Sequence, residues 1–141
     1  MILSGGFDPV HIGHIRMFRE AAYLGHHVIV GLNSDKWLTR KKGKPFMEFE
    51  ERKEVLESIK YINQVLPFND DDDSACDLIE KVNSMYDTDQ KIYFANGGDR
   101  GKDNVPEVDT CKELGVIMLW GVGGGKIQSS SWLIDGGKDD E

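Results

Sequence analysis

The sequence is short of cysteine, of proline and of positive charge. Its two cysteines, Cys76 and Cys111, stand far apart. They make neither a disulfide framework nor a C-x-x-C pair, so buried or inert thiols in a reducing cytosol are expected. Lysine and arginine total 17 against 25 aspartates and glutamates, a formal charge of −8. DNA, RNA or an anionic membrane would be repelled at long range. One small phosphorylated ligand in a local basic pocket is not excluded. No apolar run approaches the roughly 18 to 20 residues of a membrane span. The opening "MILSGGFD" has no basic n-region and no long apolar h-region, so no signal peptide is expected and the location is expected to be cytoplasmic. Internal repeats are absent, and the one biased segment is a short acidic run.

What is present suits one domain with one core: 141 residues, 39% apolar and 30% charged. Residues 1–4, "MILS", read as a short strand. "GHIRMFREAAYL" (13–24) carries Ile15, Phe18 and Ala22 near helical spacing, and Gly25 supplies the stop. "HVIVGLN" (27–33) is the nearly continuous apolar run of a parallel strand buried on both faces. The basic stretch 34–47, "SDKWLTRKKGKPFM", reads as a long, partly mobile loop. A second helix is expected over 48–62 and a third strand over 64–68. A third helix is expected from the acidic run at 70 to residue 85, its aspartates suiting the positive end of the helix dipole. A strand over 91–96, a helix over 105–115, a strand over 116–120 and a short helix from "SSSWLI" complete the pattern. Such alternation gives an α/β domain over 1–134 with a parallel sheet and right-handed crossovers. The tail 135–141 is expected to be disordered.

In such sheets ligands sit beyond the carboxyl ends of the strands, at the point where strand order reverses. "GGFDPVHIGH" (5–14) follows the first strand and opens the first helix, which puts it there. Three readings of His11 and His14 compete. A structural metal site would need further ligands at suitable spacing, and Cys76 and Cys111 do not offer it. A plain capping turn accounts for Gly5, Gly6, Asp8 and Pro9 but not for two histidines around a glycine. A phosphate site accounts for more. A helix N-terminus offers free N–H groups and a positive dipole end. Gly5 and Gly6 let backbone approach a ligand, and Gly13 would let a flat nucleoside lie against the first turn. Spaced three apart, both imidazoles can face one side and donate to phosphoryl oxygens as charge builds in a transition state.

The decapeptide resembles the G-x-F-D-x-x-H-x-G-H signature of the cytidylyltransferase-like nucleotidyltransferases. A bare H-I-G-H also occurs in class I aminoacyl-tRNA synthetases, but those chains are several times longer. The stretch "NSDKWLTRKKGKPFMEFEERKEVLESIKYINQVLP" is similar to the region after the second strand in glycerol-3-phosphate and phosphocholine cytidylyltransferases. On that match Lys42, with Lys44 a near rival, takes the place of a phosphate-contacting lysine, and Arg52 that of a helix arginine. "NGGDR" (96–100) resembles a turn near the nucleotide, and "KIQSSSWLI" (126–134) a segment that opens the last helix under the triphosphate. The resemblance departs at "GVGGGKIQSSS", where glycines stand in place of an arginine. Lys126 would supply that charge, without the planar fork of arginine.

The resemblance implies a Rossmann-like, doubly wound five-stranded parallel sheet in order 3-2-1-4-5. It implies transfer of CMP from CTP to a small phosphorylated alcohol such as glycerol 3-phosphate, releasing pyrophosphate by direct in-line attack. His11, His14, Lys42 and Lys44 would be catalytic. Gly5, Gly6, Phe7, Gly13, Gly98, Asp99, Lys126, Ser129 and Ser130 would bind the nucleotide, and Arg52 and Arg100 the acceptor or the nucleotide. Mg2+ would be held mainly by phosphate oxygens, and the chain would form a homodimer without nucleic-acid partners. The alternatives are an adenylyltransferase of the heptose-phosphate type and a nucleotide-binding module without turnover. Asp8 is expected to scaffold its turn, and Asp70 to Asp73 to form a solvated helix start. Trp37, Trp120 and Trp132 are expected to pack rather than stack on a base.

Overall fold

A computed structural model of the chain describes residues 1–86, 89–96 and 106–120. Five short strands, β1 (Ile2–Gly5), β2 (Ile29–Leu32), β3 (Gln64–Pro67), β4 (Tyr93–Asn96) and β5 (Ile117–Trp120), form one sheet. Its order is β3-β2-β1-β4-β5, and every neighbouring pair is parallel. The sheet is therefore the Rossmann-like, doubly wound one expected. Between the strands run α1 (Ile12–Tyr23), α2 (Asp35–Lys42), α3 (Phe49–Glu57), α4 (Cys76–Met85) and α5 (Pro106–Leu114).

Alternation along the strands divides the core in two. Leu3, Val30, Leu32 and Val65 point to one face, where Met17, Phe18 and Ala21 of α1 and Leu56 of α3 cover them. Ile2, Ile29 and Phe94 point to the other, under Leu78, Ile79 and Val82 of α4 and Cys111 of α5. Both faces of β1 and β2 are thus apolar, which is why these strands read as continuous runs. Gly31 of β2 has its own reason: a Cβ there would collide with the Leu78 side chain. Gly25, Gly43 and Gly115 each follow a helix at positive φ, the conformation that ends helices.

Three segments differ from the reading of the sequence. Residues 35–42 are a helix, not part of a mobile loop. Ser34 caps it by accepting the Trp37 amide (3.0 Å), Asp35 sits in its first turn, Arg40, Lys41 and Lys42 in its last, and Gly43 stops it. The basic composition masked an ordinary set of start and stop signals. The helix expected over 48–62 ends at Glu57, and the chain continues through turns in which Ile59 and Ile62 still reach the core. The acidic run does not open the helix, since α4 begins at Cys76; Asp71, Asp72 and Asp73 are exposed as expected, but Asp70 is only 2% exposed. No disulfide joins the cysteines; Cys111 is buried and Cys76 half-buried. Burial pushes the Cys111 thiol up to about 11, which keeps it protonated and inert.

Candidate active site

Strand order reverses at β1, with β2 and β3 on one side and β4 and β5 on the other. The loop 6–11 leaves the carboxyl end of β1 at that point and leads into α1. The first turn of α1 needs acceptors for its free amides. His11, at the N-cap in extended conformation, accepts the Gly13 amide on Nδ1 (3.1 Å). His14 reaches back and accepts the His11 amide on its own Nδ1 (3.1 Å). The pair reproduces the reciprocal geometry of a capping box with histidines in place of Ser and Glu. The expectation that capping leaves the two histidines unexplained is therefore corrected: they are the cap.

That cap has a chemical consequence. An Nδ1 that accepts carries no proton, so each neutral ring holds its proton on Nε2. Among the described residues no hydrogen bond engages either Nε2. The rings stack, with centroids 3.7 Å apart and planes inclined by 28°. Burial, and then the neighbouring His11, lower the His14 pKa to about 4, so His14 is neutral at pH 7. His14 thus presents an Nε2–H dipole, rather than imidazolium charge, beside the main-chain amides of the helix start.

The surrounding glycines make room for side chains. A Cβ on Gly13 would lie 3.0 Å from His11 Cε1, so the folded-back His11 ring would have to shift slightly to admit one. A Cβ on Gly5 would lie 3.1 Å from the Phe7 ring, and one on Gly6 2.8 Å from Leu38 Cδ2. Phe7, buried and at positive φ (46°), wedges its ring between Phe18 (5.6 Å) and the edge-on His14 (4.9 Å).

Asp8 ties this loop to the connection between α2 and α3. Its carboxylate accepts the amides of Phe46 (2.6 Å) and Met47 (2.7 Å) and the Lys42 ammonium (3.0 Å), and its side chain is 2% exposed. Desolvation raises its pKa, but the Phe46 amide, Lys42 and the Met47 amide outweigh it and hold the carboxyl below its ordinary value. Asp8 is the scaffold expected, reaching across to another loop rather than to its own backbone. Lys42 therefore stands beside the opening loop, and Lys44 is exposed on the same connection. Lys41 lies over the half-buried Trp37 ring (5.4 Å).

Arg52 is wholly buried (0% exposed). Its Nε donates to the Met47 carbonyl, Nη1 to the carbonyls of Gly6 and Asn33 (2.9 Å each), and Nη2 to Asp35 Oδ1 (2.6 Å). The geometry makes it a brace between the ends of β1 and β2, engaged with the chain itself rather than open to a ligand.

Sequence reasoning passed over Asn33, Ser34, Asp35 and the particular role of Asp70. Asp70 accepts the Asn33 amide group (2.9 Å) and the Ser34 amide (2.8 Å) on Oδ2, and the Ser34 hydroxyl (2.8 Å) on Oδ1. Arg40 closes the cluster, donating to the Asp70 carbonyl (2.7 Å) and to Asp73 (2.9 Å). "NSD" directly after a strand was the available signal. Gly98, Asp99, Arg100, Lys126, Ser129, Ser130 and Trp132, and the tail 135–141, lie outside the described residues.

A parallel sheet with a histidine-capped helix at its switch point defines a Rossmann-like protein built to present main-chain and imidazole N–H groups in one place. Residues 2–118 match the model of the Cytidylyltransferase-like family, and the chain belongs to that family. It is 32% identical over 80 residues to the glycerol-3-phosphate cytidylyltransferase of Bacillus subtilis (strain 168), covering 57% of this chain and 62% of that one. It is 34% identical over 107 residues to the bifunctional protein HldE of Blochmanniella floridana, covering 74% of this chain and 20% of that one. The matched stretch thus spans half to about three fifths of the length of the glycerol-3-phosphate cytidylyltransferases it resembles. The lipopolysaccharide core biosynthesis protein from Thermoplasma volcanium GSS1 shares the fold, with a TM-score of 0.62 at 18% identity, over 84% of this chain and 90% of that one.

Proposed function

We propose that the protein transfers CMP from CTP to a small phosphorylated alcohol such as glycerol 3-phosphate. The observation that carries this reading is the histidine cap. It commits both Nδ1 atoms to the helix and leaves two Nε2–H donors beside the amides of the first turn of α1. Donors fixed before reaction cost no reorganisation as charge develops on phosphoryl oxygens. An oxygen of the acceptor phosphate attacks the α-phosphorus, forming the new P–O bond. The bond from that phosphorus to the bridging oxygen breaks, and pyrophosphate leaves with the electron pair. No protein nucleophile is needed, so catalysis is positioning and charge stabilisation.

His11 and His14 hold α-phosphate oxygens, and Lys42 or Lys44 closes over the phosphates. Lys42 does so by exchanging Asp8 for the ligand. Gly98, Asp99, Lys126, Ser129 and Ser130 complete the nucleotide site, and Arg100 serves the acceptor. Arg52 supports the site from beneath. Among the described residues no cluster of three His, Cys, Asp or Glu side chains could hold a metal ion. Magnesium would be held mainly through phosphate oxygens and water, and would offset the charge of the triphosphate. Homodimerisation and a cytoplasmic location belong to the same proposal, and no described helix is long and apolar enough to cross a membrane.

A second reading, adenylyl transfer to a sugar phosphate, is supported by "VGLNSD" and "KGKPF" and in part by the similarity to HldE. Pyrophosphate release with magnesium, CTP or ATP, and glycerol 3-phosphate or a panel of sugar phosphates separates the two. Release with CTP and glycerol 3-phosphate is expected. Release with ATP alone overturns the first reading in favour of the second, and nucleotide binding without release for any acceptor favours a binding module.

A further inference from the structure

Asn33 stands where β2 ends, beside the Gly5–Gly6 turn. Its amide donates to the Gly5 carbonyl (3.0 Å) and its carbonyl accepts from Arg52 (2.9 Å), so its backbone is held from both sides. The side chain is held as well. Asp70 Oδ2 lies 2.9 Å away, and both Asp70 oxygens accept hydrogen bonds from Ser34, so the group facing it is the donor of the amide, the Asn33 NH2. Oδ1 is therefore directed away from Asp70. Asn33 is 6% exposed, and among the described residues no donor meets this Oδ1. A covered carbonyl without a donor is costly and uncommon. Two further hydrogen bonds from Ser34 to Asp70 fix the carboxylate that sets the amide's orientation.

We propose that Asn33 is a specificity-determining residue that accepts a hydrogen bond on Oδ1 from a hydroxyl group of the phosphorylated acceptor, with Asp70 as the positioning residue that holds the amide in that orientation. The inference rests on the transfer reading above. Its chemistry selects one end of the acceptor. An amide oxygen backed by a carboxylate repels a phosphate oxygen and attracts a donor, so the hydroxyl-bearing carbons lie at β2. The phosphate then lies toward the imidazole and amide N–H groups of α1. An alcohol phosphate stripped of its hydroxyls leaves Oδ1 unmet and is disfavoured.

The experiment compares glycerol 3-phosphate with propyl phosphate, which lacks both hydroxyls, using whichever of CTP or ATP supports pyrophosphate release. The whole chain is used, as wild type, Asn33→Ala and Asp70→Asn. Asn33→Ala is expected to lower kcat/KM for glycerol 3-phosphate about tenfold, the worth of one hydrogen bond. That loss should fall in KM, with KM for the nucleotide and kcat/KM for propyl phosphate unchanged. Asp70→Asn, which no longer dictates the orientation of its neighbour, should show the same selective loss to a smaller degree. Should Asn33→Ala not fold, Asn33→Ser asks the same question with a shorter side chain. Equal losses for both acceptors, or a rise in the nucleotide KM instead, would overturn the proposal, the latter by assigning Oδ1 to the nucleotide. Calorimetry of the acceptors alone separates the two levels. Turnover by the wild type with no selectivity change in Asn33→Ala defeats only the role of Asn33. Neither turnover nor binding of glycerol 3-phosphate or the sugar phosphates by the wild type defeats the transfer reading with it.

Discussion

His11 and His14 stack at 3.7 Å because each spends its Nδ1 on the same helix start, one capping the Gly13 amide and the other the His11 amide. The helix start thus engages one nitrogen of each ring, the proposed chemistry would use the other, and substitution can separate the two. His14→Ala removes both. It should cost about 1 kcal/mol of stability, the usual worth of a cap, and lower pyrophosphate release by two orders of magnitude or more. His14→Gln keeps a capping-box acceptor at that position but moves the donor. Its urea midpoint should lie near that of the wild type while its turnover stays low. Turnover at the wild-type level in either variant would remove His14 from the chemistry.

The lowered pKa of His14 makes a signed prediction. Folding depresses it from 6.5 to about 4, so the unfolded chain binds the proton more readily. The stability associated with the neutral ring is fully present above pH 6.5 and is lost as pH falls toward 4. Burial of the ring is the first cause, and the neighbouring His11 the second. Urea midpoints at pH 7.5 and pH 5 should differ more for the wild type than for His14→Gln, which has nothing to titrate there.

Asp8 and Lys42 form a pair of unequal partners. The Asp8 side chain is covered, whereas Lys42 is 42% exposed. Asp8→Ala leaves the Phe46 and Met47 amides without acceptors and should cost about 1 to 3 kcal/mol. Those two amides should exchange with deuterium faster. Lys42→Met removes only an exposed charge pair and should shift stability by less than about 1 kcal/mol. Its turnover should nevertheless fall if the lysine meets phosphate. Equal stability losses in the two variants would contradict this division.

Arg52 offers the sharpest contrast between brace and ligand contact. Removing a buried partner from a charge-paired network costs about 3 to 5 kcal/mol. Arg52→Met should therefore lower the urea midpoint strongly, and Arg52→Lys should recover only part, since an ammonium cannot span Met47, Gly6, Asn33 and Asp35 together. An unchanged midpoint with impaired acceptor binding would return Arg52 to the substrate.

Much of this molecule is legible in its residues. "HVIVGLN" announces a strand buried on both faces, Gly25 and Gly115 announce helix ends, and the alternation of strand and helix announces the doubly wound sheet, whose order follows the family pattern. The decapeptide announces a helix start at the switch point. These are local or periodic properties, set by side-chain spacing and by which residues tolerate positive φ. The helix 35–42 was legible too, in Ser34 and Gly43, but its run of lysines and arginines has no apolar stripe, and only Leu38 is buried from it. Charge composition there spoke louder than the caps.

Which side chains meet was decided by the tertiary structure alone. Nothing near Arg52 in sequence says that its guanidinium will join Gly6 to Asn33, or that one of four consecutive aspartates will be buried against Asn33 and Ser34, 37 and 36 positions away. Those contacts exist because parallel strands bring the loops that follow β1, β2 and β3 to one edge. Carbonyls and amides without strand partners collect there and must be met by side chains from elsewhere. The sequence by itself determined the layers and the place of the site. The fold decided which polar groups are consumed in holding that edge together, and which, such as the Nε2 atoms of His11 and His14, no described residue engages.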